Sequence, residues 1–114
     1  MNPAIHILDV AHPPRPADVV EQELLEAFGC VRNSTTLRAI KVVHGYGSTG
    51  KGGVTRETVR NWAFRQRQRV RAVIEGERYA ALEGSTETMI REIGPLCDAD
   101  LGTGNPGITI LWVR

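Results

Sequence analysis

The sequence predicts an α/β domain: a two-layer sandwich of two helices on one face of a four-stranded mixed sheet, in the order β-α-β-α-β-β. Three observations lead there. Short β-rich apolar runs occur at Ala4 to Val10, Leu37 to Val43 and Gly107 to Val113; apolar residues recur at helical spacing between the first two; and an arginine-studded helical pattern follows the second. A chain of 114 residues fits one core of ordinary size, so residues 1–114 are expected to form a single domain.

Ala4 to Val10 (AIHILDV) is apolar apart from His6 and Asp9, as a buried strand should be. The cluster His12-Pro13-Pro14-Arg15-Pro16 stops it, because proline donates nothing to a ladder. Pro16 suits the start of a helix whose first turn carries Asp18 and Glu21, acids that complement the helix dipole. Val20, Leu24, Ala27 and Phe28 form its apolar stripe, and Gly29 is expected to end it. Asn33-Ser34-Thr35-Thr36 reads as a turn into the second strand. With Thr55 as N-cap, Val59, Trp62, Ala63, Gln66 and Val70 fall within roughly one third of a helical circumference, flanked by stripes of arginine. Ala72 to Glu75 reads as a third strand. Residues 78–104 read as an insertion with one short helix after a Ser85 cap, and Gly107 to Val113 (GITILWV) as the last strand.

Charge is unevenly distributed. Residues 1–36 carry two basic and five acidic side chains, residues 37–78 ten and three, and residues 79–114 two and five. A net +7 in the middle third, beside glycine-rich sequence, is the electrostatic footprint of a nucleic-acid or polyphosphate binder. No apolar run approaches the roughly 18 to 20 residues of a membrane span and no signal-peptide pattern opens the chain, so a cytoplasmic protein without a membrane partner is expected. Cys30 and Cys97 lie far apart, with no metal-binding spacing, and read as reduced, small apolar residues.

His44-Gly45-Tyr46-Gly47-Ser48-Thr49-Gly50-Lys51-Gly52-Gly53 joins the second strand to the second helix. Glycines let backbone N–H groups crowd around a phosphate, and the helix N-terminus adds free donors. Gly45 to Lys51 satisfies G-x-x-x-x-G-K, but Gly52 stands where Ser or Thr would ligate Mg²⁺ in a nucleoside triphosphatase.

Leu8-Asp9-Val10 at the first strand end, His44-Gly45-Tyr46-Gly47 after the second strand, Val54 with the helix beyond, and the strand Gly107-Ile108-Thr109-Ile110 together resemble the Smr (small MutS-related) domain. Its signatures are L-D-x-H or L-D-x-R followed by glycine, and H-G-x-G. The resemblance covers most of the chain outside 78–104. It implies a fold like the C-terminal domain of a bacterial translation initiation factor, binding to DNA or RNA, and in several members an endonuclease activity with or without a divalent metal such as Mg²⁺. His44, Gly45 and Gly47 match, as do Leu8 and Asp9; the His or Arg position holds Ala11, with His12 one place late and Pro13 where glycine would follow. A one-residue bulge would return His12 to the site, or Arg15 could substitute.

Cleaving a phosphodiester requires a base and positive charge around the reacting phosphate. Asp9, His12 and His44 are the candidate catalytic residues. His44, Gly45, Tyr46, Gly47, Lys51, Gly52, Arg56, Arg60 and Arg67 are candidates for binding phosphate or bases, with Tyr46 able to stack on an unpaired base. His44 could instead hold the loop through hydrogen bonds, and Asp9 could cap the proline turn. Three readings stay open: an endonuclease, a non-catalytic nucleic-acid-binding module, and a nucleotide or phosphate binder using the G-x-x-x-x-G-K loop.

Overall fold

The computed structural model describes residues 4–46, 52–94 and 98–114. Strands β1 (Ile5–Asp9), β2 (Ala39–Val43), β3 (Val70–Glu75) and β4 (Ile108–Val113) alternate with helices α1 (Ala17–Arg32), α2 (Gly52–Arg65) and α3 (Gly84–Ile93), with short 3-10 turns at Arg67–Arg69 and Gly76–Arg78. The sheet order is β1-β2-β4-β3; β1 and β2 are parallel, and β4 runs antiparallel to both of its neighbours. The first three strands therefore all point the same way. Their carboxyl ends meet the start of β4 along one edge, called the upper edge below; Asp9, Val43 and Ile108 stand side by side there in register.

Helices α1 and α2 lie on one face as expected, burying Val20, Leu24, Phe28, Val59, Trp62 and Ala63 against Ile40, Val42 and Leu111. Phe28 and Trp62 meet edge to face at 6.1 Å between ring centres, a geometry the aromatic quadrupole favours. The insertion covers part of the other face. Tyr79 and Met89 pack on Ala39, Ile74, Ile108, Ile110 and Trp112, adding a partial third layer to the two-layer core.

A buried ionic cluster fastens this layer. Lys41, in the middle of an otherwise apolar β2, reaches Asp98 at 2.8 Å and Asp100 at 2.5 Å, and the Tyr79 hydroxyl donates to Asp98 at 2.8 Å. Burial alone would lower the pKa of Lys41, but the Asp100 and Asp98 carboxylates hold it above the ordinary lysine range. Burial likewise opposes ionisation of Asp98, and the bonds from Lys41, the Asp100 amide and Tyr79 outweigh it and lower its pKa. Gly76 marks where the insertion leaves the sheet, since a Cβ there would collide with the Asn105 carbonyl and meet Ile108 Cγ1 at 2.6 Å.

Element boundaries differ from expectation at several points. Helix α1 runs past Gly29 to Arg32, because Phe28 and Val31 continue its buried stripe. Val70 is buried as the first residue of β3, not as part of α2, after the chain turns at Gln66. Helix α3 begins at Gly84, with Glu83 rather than Ser85 at the N-cap position. Cys30 is exposed on α1, and Cys97 lies outside the described residues.

Candidate functional site

Two chain reversals at the upper edge carry the candidates Asp9, His12, His44, Gly45 and Tyr46. The first follows β1, where Val10 donates its N–H to the Val43 carbonyl at 2.9 Å and the chain turns at once. Asp9 organises that turn: Oδ1 accepts the backbone N–H groups of Ala11 (2.8 Å) and His12 (3.0 Å), and Oδ2 lies 2.9 Å from His12 Nδ1. Partial burial pushes the Asp9 pKa up; the Ala11 amide, the His12 ring and the His12 amide together outweigh it and lower the pKa. The turn thus returns His12 to Asp9 although His12 is one place late in sequence. Both side chains face water, 76% exposed for His12 and 42% for Asp9. A carboxylate beside Nδ1 makes that nitrogen the N–H donor and leaves Nε2 as the free base of the neutral ring. Arg15, the other candidate for this position, is turned away to Glu23 on α1 at 2.9 Å and to the Pro13 carbonyl at 3.0 Å.

The second reversal follows β2. The N–H groups of His44 and Gly45 both bond the Gly107 carbonyl, at 2.9 and 3.0 Å, and Gly45 takes φ +77°, a left-handed conformation that favours glycine. Tyr46 is half exposed, and a Cβ on Gly107 would come within 3.2 Å of its ring, so a glycine there admits the aromatic. Gly47 and Lys51 lie outside the described residues; Gly52 opens α2.

His44 is fully buried. Nδ1 lies 2.5 Å from the Gly45 carbonyl, which can only accept, so Nδ1 carries the proton. Nε2 must then accept the Thr109 hydroxyl proton at 2.8 Å, while Thr109 Oγ1 itself accepts Arg60 Nε–H at 3.0 Å. A directed chain results, Arg60 to Thr109 to His44 to Gly45. Burial drives the His44 pKa down to about 4; the Gly45 carbonyl opposes this, and the Arg60 and Arg56 charges reinforce it. With no free ring nitrogen, this buried neutral His44 is not a base for solvent or substrate. Its geometry is that of a residue holding the loop.

Arg60 is likewise spent inside the protein. Besides Thr109 it reaches Glu75 at 3.1 Å, Glu77 at 2.8 Å and the Ile108 carbonyl at 3.2 Å, and its pairing lowers the pKa of Glu77. The guanidinium expected to contact phosphate is thus already bonded within the protein. Arg56 stays more open, 4.0 Å from Glu77. Arg67 belongs to the far end of the molecule: α2 has 14 residues, about 20 Å at 1.5 Å per residue, and Arg67 follows it, stacked on Phe64 at 4.3 Å. Sequence reasoning missed Thr109, Glu75 and Glu77. One signal was legible, a lone hydroxyl in the apolar strand GITILWV. Among the described residues no group of three or more His, Cys, Asp or Glu side chains is arranged to hold a metal ion, and no helix is long and apolar enough to cross a membrane.

A mixed sheet with order β1-β2-β4-β3, two helices on one face and a histidine-glycine turn at the upper edge defines an α/β domain of the Smr fold. The crystal structure of the Smr domain of MutS2 from Thermus thermophilus matches with a TM-score of 0.54 and 18% identity over 96% of each chain. No family model and no curated protein matches.

Proposed function

We propose that this chain is an Smr-type nucleic-acid-binding domain that cleaves a phosphodiester at its upper edge, with Asp9 and His12 as the reacting pair. The contact between the exposed His12 ring and the Asp9 carboxylate carries the reading. Asp9 fixes the tautomer that leaves Nε2 free to take a proton from the attacking hydroxyl or water, and the same nitrogen, once protonated, can return it to the leaving oxygen. Arg56 and the glycine turn would stabilise charge on the phosphate, and Tyr46 offers a half-exposed ring for stacking on an unpaired base. His44 serves this site by holding the turn, in line with its burial. A non-catalytic binding module is the second reading. It is favoured by Ala11, which stands where the Smr signature has His or Arg.

The test is end-labelled RNA hairpin and duplex DNA incubated with wild type, Asp9→Asn and His12→Ala, with Mg²⁺ or EDTA, resolved on denaturing gels. Cleavage lost in both variants with binding retained supports the nuclease. Binding without cleavage by wild type selects the second reading, and neither binding nor cleavage rejects both.

A further inference from the structure

Two arginines of the basic middle third, Arg38 and Arg71, meet Arg32 and Arg114 from the outer thirds at the edge opposite the glycine turn. Arg38 precedes β2, Arg114 follows β4 and Arg71 is the second residue of β3, so cations stand at the lower ends of three successive strands. Arg32, the last residue of α1, closes the row. Together with Ser34, Glu92, Trp112 and Val113 these four arginines line a hollow of about 460 Å³. Two gaps of about 4.8 Å between strands spread the charge over about 10 Å, a line rather than a point. Arg38 is held at the rim by its own backbone, donating to the Leu37 and Thr35 carbonyls at 2.8 and 3.0 Å, and Arg71 lies 5.4 Å over the Trp112 ring. Among the lining side chains the opposing charge is Glu92, 3.4 Å from Arg71 with both side chains about half exposed, a weak pair. Arg32 and Arg114 are exposed and make no side-chain bond among the described residues.

We infer that this lower edge is a second docking surface for the phosphodiester backbone of a nucleic acid, separate from the turn carrying Asp9 and His12. The inference rests on the nucleic-acid reading above and adds where the strand is held. A polyanion with regularly spaced charges suits guanidinium groups set at successive strand ends, and such contacts confer affinity without sequence preference.

The experiment measures the anisotropy of fluorescein-labelled single-stranded RNA and duplex DNA against wild type, Arg32→Gln/Arg114→Gln and Arg32→Lys/Arg114→Lys across a salt series. Each phosphate contact contributes roughly 0.7 to 0.9 to the slope of log K against log salt. The glutamine variant should therefore bind more weakly with a slope shallower by about 1.5, while the lysine variant keeps the wild-type slope. Wild-type affinity and slope in the glutamine variant overturn the inference and leave the proposed function standing. A lysine variant as weak as the glutamine one overturns the role of charge. Absence of wild-type binding to either nucleic acid overturns the proposed function and this inference with it.

Discussion

Replacing Thr109 with valine probes the chain of bonds that holds the glycine turn. The side chain keeps its shape and loses one oxygen, which sits 2.8 Å from His44 Nε2 and 3.0 Å from Arg60 Nε. His44 is fully buried, so its Nε2 lone pair would be left without a donor, at a cost of about 1–3 kcal/mol. Arg60 retains Glu75, Glu77 and the Ile108 carbonyl, so its loss is the smaller part. We expect Thr109→Val to destabilise the fold by about 2 kcal/mol. For a domain of this size that lowers Tm by about 10 °C. Thr109→Ser, which keeps the hydroxyl and deletes a methyl, should cost about 1 kcal/mol, near one buried methylene. Urea unfolding followed by fluorescence of the buried Trp62 and Trp112 measures both. A Thr109→Val midpoint matching wild type, or a serine variant less stable than the valine one, would refute the bonding scheme.

Two further perturbations have a definite sign. The His44 pKa of about 4 lies below the ~6.5 of an unfolded histidine, so between those values the unfolded chain binds a proton that the folded chain does not. Stability should rise with pH through that window and fall by up to about 3 kcal/mol as pH drops from ~6.5 to ~4; the depressed Asp9, Glu77 and Asp98 carboxyls add their losses as acidification proceeds through their folded pKa values. A flat unfolding free energy between pH 7 and 4.5 would show that His44 is not held neutral by burial. Lys41→Met strands the nearly buried Asp98 and the neighbouring Asp100 without their cation and should cost about 3–5 kcal/mol. Adding Asp98→Asn and Asp100→Asn should restore much of it, whereas a single-variant loss under about 1 kcal/mol would contradict the cluster's role.

Local pattern determined the elements. Apolar runs between proline and glycine breaks specify β1, β2 and β4, and the Val20, Leu24, Phe28 stripe specifies α1, because period and chain breaking are properties of neighbouring residues. The same local logic marked Asp9 and His44 at strand ends, and the H-G-x-G turn between strand and helix. Partnerships across the chain were decided by the tertiary structure. His44 carries the motif, yet its ring is buried because β4 brings Thr109 beneath it, 65 residues away. His12, out of register in sequence, meets Asp9 because one carboxylate oxygen gathers two backbone N–H groups and tightens the turn. The basic middle third divides in the same way: Arg60 is absorbed by Glu75 and Glu77, while Arg38 and Arg71 meet Arg32 and Arg114 at the lower edge. Sequence records how much charge a segment carries, but whether a guanidinium faces water or a carboxylate depends on which strands the sheet sets side by side.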